Sequence, residues 1–269
     1  MPVISLTTDF GLDDPYVGLV KGAILSINPR AHIVDLTHAV PPYDRDQAAR
    51  TIAWAYPYFP PGTIHVVVVD PGVGSERGMI AFEYDGHLFL GPDNGVFTLV
   101  LADGCPRKLV AVTNRNYFRS PVSRTFHGRD IFGPVVAHLS RGVPLSALGP
   151  SADPGDLVRL SLPQARLLSP GHIAGHVSQV DSFGNLITDI HRDMLKNCGA
   201  WDCPDEIRVR CGKKHIQGLA DHFNARPPGE ALALIGSRDT LEICINQGHA
   251  ARACGAAAGQ SVDLTWPAE

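Results

Sequence analysis

The chain has 269 residues, 44% of them hydrophobic and 19% charged, with a net charge of −4. That length exceeds the usual single domain and predicts two, while mild acidity without a basic stripe argues against a nucleic-acid partner. No stretch is long enough to span a bilayer, and Met1-Pro2-Val3 opens without the regions of a secretory leader, so a cytoplasmic protein with no membrane partner is expected.

The first half alternates strand and helix patterns. Pro2 to Leu6 is a short apolar run that ends in the loop Thr7-Thr8-Asp9-Phe10-Gly11. From Tyr16 to Asn28 apolar residues recur at helical spacing, with Asp13 or Asp14 available as a cap and Pro29 as a stop. His32 to Leu36 reads as a strand, and Asp46 to Tyr58 as a helix halted by Pro60-Pro61. Ile64 to Val69 is a β-branched run of the kind buried on both faces, and it stops at Asp70-Pro71-Gly72-Val73-Gly74. A strand pair, Met79–Tyr84 and His87–Leu90, turns at Asp85-Gly86, the loop 91–95 follows, and Arg129 to Ser140 reads as a helix. This alternation predicts a three-layer α/β/α domain over residues 1–160.

From about residue 165 short strands follow one another between Gly, Asp and Asn turns, with little room for helix: 171–180, 186–190, 207–210, 215–219, 231–235, 241–245 and 261–266. The spacing predicts a small β-barrel over residues 168–269. The fold class is therefore α/β followed by β. Six cysteines in a chain of this length read as reduced thiols. Cys198, Cys203, Cys211 and His215 have the spacing C-x4-C-x7-C-x3-H, without the tight knuckle of a zinc site, so no metal is expected.

Asp70 stands at the carboxyl end of the buried run, where ligands bind in open α/β sheets. Arg77 lies seven residues on, and His127 sits in the constrained turn Thr125-Phe126-His127-Gly128-Arg129-Asp130. Each has an ordinary alternative: an aspartate caps a turn, an arginine lies on the surface, a histidine makes a structural hydrogen bond. Asp9 ends the first strand, as turn-former or as a holder of ribose hydroxyls. The turn Asp181-Ser182-Phe183-Gly184-Asn185 is either a hairpin or a ligand contact, as is Gly236-Ser237-Arg238. Their glycines let a ligand approach the backbone.

Taken together, TTDFG-x4-YVG-x2-KG from Thr7, DPGVGSER from Asp70, GPDNG from Gly91, TFHGRDIF from Thr125, DSFGNLIT from Asp181 and GS-x3-LEI from Gly236 resemble one family. It is the S-adenosylmethionine hydrolases, or hydroxide adenosyltransferases, relatives of the bacterial fluorinase and chlorinase. The resemblance runs in order over nearly the whole chain. It implies conversion of S-adenosyl-L-methionine and water to adenosine and L-methionine, without a cofactor. It also implies a homotrimer with active sites between one subunit's N-terminal domain and the next subunit's C-terminal domain. The hydroxide-handling trio falls on Asp70, Arg77 and His127, with Thr125 and Gly128 beside it. Asp9 would hold the ribose, Asp181 the methionine ammonium, Ser237 its carboxylate, and Asn185 and Phe183 the adenine, with Tyr43 against the ribose. The halogenating relatives lack the trio, which argues against halide chemistry.

Attack at C5′ of a sulfonium expels a neutral thioether, so the difficulty lies in the nucleophile: water is weak and hydroxide strongly solvated. Arg77 and His127 can hold hydroxide or orient water, and Asp70 can fix the histidine or take the proton; the residues alone leave these roles open. Two rivals stand. A metal-dependent phosphoesterase would use Asp9, Asp13, Asp14, Asp70 and His127 as ligands, but Arg77 would be repelled by the metal. A non-catalytic nucleoside or S-adenosylmethionine binding module would use the trio only as a salt-bridged lock.

Overall fold

The computed structural model describes residues 2–267. The fold is mixed α/β with two sheets, in two compact units that divide between Ser161 and Leu162.

The first unit runs β1 (Val3–Thr8), α1 (Tyr16–Ile27), β2 (His32–Thr37), α2 (Arg45–Ala55), β3 (Ile64–Val68), β4 (Met79–Tyr84), β5 (His87–Pro92), β6 (Lys108–Ala111) and α3 (Gly133–Ser140). The sheet order is β2-β1-β3-β5-β4-β6, with β2, β1, β3 and β5 parallel and β4 antiparallel to both neighbours. Strand β3 is buried throughout, and the period-two alternation of its side chains divides them between two cores. Ile64, Val66 and Val68 pack with Val20 and Ile24 of α1 and Val135 of α3. Val67 and Val69 pack with Ala48 and Ile52 of α2, beside Phe82 and Phe89. A strand β-branched at every position but His65 satisfies both faces at once.

Local chemistry moves several predicted boundaries. Strand β1 continues to Thr8, which places Asp9 directly at its end. Neither Asp13 nor Asp14 caps α1: both are exposed, and Pro15 precedes the helix with no side-chain cap. Its ring holds φ at −74°, already suited to helix entry. Helix α2 starts at Arg45 because Asp44 accepts from Gln47 N (2.8 Å) and caps it. It ends at Ala55, and residues 56–58, with Pro57 inside, form a single tight turn. The predicted helix from Arg129 is α-helical only from Gly133, after a wide π-helical turn over Gly128–Phe132. The β4–β5 hairpin turns at Asp85-Gly86, both residues left-handed (φ 49° and 75°), as a two-residue turn requires. Strand β6, too short to show a period, was not predicted.

The second unit holds β7 (Arg166–Ser169), β8 (His172–Val180), β9 (Leu186–His191), α4 (Arg192–Asn197), β10 (Arg208–Cys211), β11 (Lys214–Gln217), β12 (Leu219–Ala220), β13 (Ala231–Ile235), β14 (Thr240–Ile245), α5 (Ala250–Cys254) and β15 (Ser261–Thr265). Its order is β11-β10-β15-β8-β9-β14-β13-β12, with β7 added on β8, and among the described residues only β12–β13 is parallel. The sheet curls toward a barrel around Ile173, Val177, Leu186, Ile243, Val262 and Leu264. Long β8 bends it, pairing β15 along its first half and β9 along its second. Among the described residues the α-helix of this unit is confined to short α4 and α5, each filling a connection too brief to show a helical period. All six cysteines are free thiols, and no three His, Cys, Asp or Glu side chains converge as metal ligands among the described residues. No helix among those residues is long and apolar enough to cross a membrane.

Candidate active site

The pairing of β1 with β3 sets Thr8 opposite Val68, so Asp9 and Asp70 leave adjacent parallel strands at the same carboxyl edge. Asn94, from the 91–95 loop, fixes that edge: its buried Nδ2 donates to Val69 O (3.0 Å), one residue before Asp70. Arg45 in turn donates to Asn94 O (3.1 Å).

Beyond Asp70 the chain doubles back through consecutive turns, Val73 N to Asp70 O and Ser75 N to Gly72 O, and this returns Arg77 to the strand end. Gly74 is left-handed (φ 78°), and a Cβ there would stand 2.1 Å from Arg124 O. Only glycine lets this loop lie against the segment that carries His127.

Arg77 joins the trio. Its Nε donates to Asp70 Oδ2 (2.8 Å), and its Nη2 donates both to that oxygen and to His127 Nδ1 (2.8 Å). The side chains of Arg77 and Asp70 are 9% and 4% exposed, so the pair is largely removed from solvent screening. Asp70 Oδ1 is buried with no hydrogen-bond partner among the described residues. Burial pushes the His127 imidazole below its ordinary pKa, the Arg77 charge pushes the same way, and Asp70 and Asp130 oppose them. A neutral ring that accepts at Nδ1 carries its proton on Nε2. The bond pattern thereby assigns the tautomer.

Asp9 is half-buried, and its Oδ2 accepts from Tyr43 N (2.9 Å), Tyr43 being left-handed at φ 68°. Burial pushes the Asp9 carboxyl up; the hydrogen bond from Tyr43 opposes that, and the charge of Asp70 adds to it. A cleft of about 320 Å³ is lined by Asp9, Tyr43, Asp70, Thr125, His127 and Gly128. Its apolar wall is Phe10, Tyr16 and Phe126, packed edge to face at 5.3–6.1 Å. Gly128 leaves room for them, since a Cβ would meet the Phe10 ring at 3.3 Å. Every N-terminal residue expected at the site thus lines the cleft, except Arg77, which meets it through Asp70 and His127. A larger groove of about 520 Å³, between α1 and residues 117–119, contains none of them.

In the second unit the Asp181–Asn185 turn closes on its own aspartate. Asp181 Oδ1 accepts from Phe183 N (2.9 Å) and Asn185 N (2.8 Å), and Oδ2 accepts from Asn185 Nδ2 (2.9 Å). Three donors therefore already engage the carboxylate expected to meet an ammonium, and the amide expected at the adenine is one of them. Phe183 is 76% exposed. Gly184 (φ 85°) rests on His249, whose Nδ1 would lie 2.2 Å from a Cβ at that position. Ser237 sits in the turn closed by Asp239 N to Gly236 O (3.0 Å).

Sequence reasoning passed over several residues lodged inside motifs it had singled out. Arg238 follows Ser237 and donates to Gln179 Oε1 (2.6 Å); its neighbour Glu242 is buried, and burial, then the charge of Asp181, pushes that carboxyl up. Asn94 and Asp130 are buried polar residues in the 91–95 and 125–132 segments. A polar residue that must be buried needs partners, but a motif string does not say which polar residue is the buried one.

Residues 4–149 match the SAM hydroxide adenosyltransferase N-terminal domain, and residues 175–263 the C-terminal domain of the same name. The chain is 38% identical over 265 residues to a protein of Salinispora tropica named (R)-S-adenosyl-L-methionine hydrolase, covering 98% of each chain. It is 36% identical over 271 residues to the protein of that name from Thermus thermophilus, covering 98% of this chain and 100% of the relative. A crystal structure of an uncharacterized conserved protein from Thermotoga maritima superposes with a TM-score of 0.90 at 36% identity, covering 98% of this chain and 100% of that one.

Proposed function

The chain belongs to the SAM hydroxide adenosyltransferase family, and from that premise we propose that it hydrolyses S-adenosyl-L-methionine to adenosine and L-methionine. Water oxygen bonds to C5′ of the ribose, the C5′–S bond breaks, its electron pair leaves on sulfur as a neutral thioether, and the water loses a proton. The observation that carries the reading is the Arg77 bridge between Asp70 and His127 at the cleft wall.

The bridge divides the labour. With Nδ1 taken by Arg77, His127 presents an Nε2–H, a donor that holds the attacking oxygen. The unengaged Asp70 Oδ1 is the acceptor that receives the water proton. Arg77 ties the two together, and its charge favours developing hydroxide. Asp9 takes the ribose hydroxyls, and Tyr43, Thr125 and Gly128 complete the wall around C5′. The turns bearing Asp181, Phe183, Asn185 and Ser237 hold the methionine and adenine ends. No cofactor or metal is called for, because the leaving group is neutral and a cation would face Arg77. The finer architecture belongs to the same reading: a three-layer N-terminal domain and a C-terminal β-barrel, assembled as a cytoplasmic homotrimer whose sites are completed between subunits.

Incubation of the purified chain with S-adenosyl-L-methionine, with and without EDTA, tests this by chromatography. Adenosine and methionine should form at equal rates in both, and added chloride or fluoride should yield no 5′-halogenated nucleoside. No adenosine over hours would leave a binding module, and loss of activity in EDTA would restore the metal-dependent rival.

A further inference from the structure

Asp130 lies three residues beyond His127, inside the π-helical turn, and is fully buried. Its Oδ1 accepts from Arg129 Nε (2.7 Å) and Arg119 Nη1 (3.3 Å), and its Oδ2 from Ser123 N (2.8 Å) and Arg129 Nη2 (2.8 Å). Its carbonyl accepts from Arg119 N and its N–H donates to Phe126 O. The Arg129 guanidinium that grips it lies over the Phe126 ring, 5.1 Å from the centroid, on the cleft wall. One carboxylate therefore pins both sides of the short segment Ser123–His127 without itself lining the cleft. Burying a carboxylate is costly, and the chain meets that cost with four donors. Burial works against its ionisation, but the hydrogen bonds from Arg129, Ser123 and Arg119 outweigh it and hold the carboxyl below its usual range.

We propose that Asp130 is a positioning residue for His127, holding the π-helical turn so that Nδ1 meets Arg77 and placing a fixed negative charge beside the imidazole. The proposal rests on the reading of the trio as the chemical centre. π-Helical turns are rare and concentrate at functional sites. Here the wide turn puts His127 on the cleft while its third successor is buried in a cage of arginines.

The charged groups facing His127 are Arg77, Asp70 and Asp130. Arg77 lowers the imidazole's proton affinity, and the two aspartates raise it. Removing the Asp130 charge must therefore push His127 further down. Mere loosening of the turn would instead expose the ring and return it toward 6.5, its ordinary value. The two explanations predict opposite signs.

The experiment titrates the histidine ring carbons by NMR in the whole protein, wild type and Asp130→Asn, with His127→Asn identifying the His127 signal. Adenosine release is followed in parallel. The expected result is a downward shift of the His127 midpoint, with kcat reduced by up to about 100-fold, as misplacement of a reacting group can cost, and KM changed less than about threefold. Asp130→Glu keeps the charge but not the geometry, so it should lower kcat without moving the His127 midpoint below that of wild type; it serves alone if Asp130→Asn does not fold. An unchanged or upward His127 midpoint in Asp130→Asn, a downward midpoint in Asp130→Glu, or unchanged kcat in both would overturn the proposal. If the wild type releases no adenosine, the functional reading fails while the titration still judges Asp130.

Discussion

Arg77 Nη2 stands 2.8 Å from His127 Nδ1 while the same guanidinium holds Asp70 Oδ2, so two residues 57 apart in sequence share one planar cation. A guanidinium can do this because its donors splay in a rigid fork; an ammonium on a flexible stem cannot reproduce the angles. Arg77→Lys should therefore keep the charge and lose the bridge. We expect kcat for adenosine formation to fall by about 10²–10⁴, the usual worth of a positioned proton-transfer system, with the S-adenosyl-L-methionine Kd from calorimetry changed far less. His127→Ala should behave likewise. Equal losses of binding and turnover would mean that the trio is a structural lock.

The same bridge sets a pH dependence. Arg77 can donate only to an unprotonated Nδ1, and burial followed by the Arg77 charge holds the His127 pKa below 6.5. The neutral ring therefore predominates at pH 6.5, and protonation at lower pH breaks the bridge. The acid limb of kcat/KM should lie below 6.5, with activity on its plateau at neutrality. A limb centred above 6.5, or one that persists in His127→Ala, would assign it to another group.

How far this site could be read in the sequence depends on what each segment had to bury. Strand β3 was legible because a run so rich in β-branched residues has few other uses, and Asp70 followed from where that run stopped. His127 was legible only through the motif around it; its tautomer was not, since that depends on which nitrogen Arg77 reaches across fifty residues. The π-helical turn was invisible because a helical period does not separate it from an α-helix. In the second unit Asp181 was found, but its three intramolecular donors were not, because a turn motif reads the same whether its aspartate faces a ligand or closes the turn.

A second histidine, remote from the cleft, predicts how stability depends on pH. His65 on β3 is wholly buried among the rings of Phe59 and Phe89, with Nδ1 2.7 Å from Ser5 Oγ and Nε2 3.2 Å from His87 Nδ1. Burial, then the neighbouring His87, pushes its pKa down from 6.5 to about 3. Between those values the unfolded chain holds the proton and the folded chain does not. The stability is thus fully present above 6.5 and is lost as pH falls toward 3, by about 1.4 kcal/mol per pH unit. Urea unfolding at pH 7.5, 6.0 and 5.0 should show this, and His65→Phe should flatten the slope, leaving a remainder from His87, His127 and His138, which burial also lowers. Identical slopes in the two proteins would refute the assignment.

Gly74 offers a test of whether the loop after Asp70 governs the histidine by contact alone. Gly74 has no side chain and does not line the cleft, yet a methyl group there would press on Arg124 O at 2.1 Å, and alanine would have to hold a left-handed φ of 78°. The left-handed φ alone costs about 1–2 kcal/mol, and clearing a backbone oxygen at 2.1 Å makes the backbone itself shift at further cost, against a typical stability of about 5–15 kcal/mol. Turnover is therefore compared on Gly74→Ala protein that circular dichroism shows to be folded. Relief of the clash, however, moves residues 124–127 away from Arg77, lengthening the bond to His127 Nδ1. Turnover of the folded protein should fall by about 10² or more, as small misplacements of reacting groups cost, alongside a lowered thermal unfolding temperature. If Gly74→Ala keeps wild-type kcat, the 70–77 loop can shift without the histidine, and the close approach to Arg124 has no bearing on catalysis.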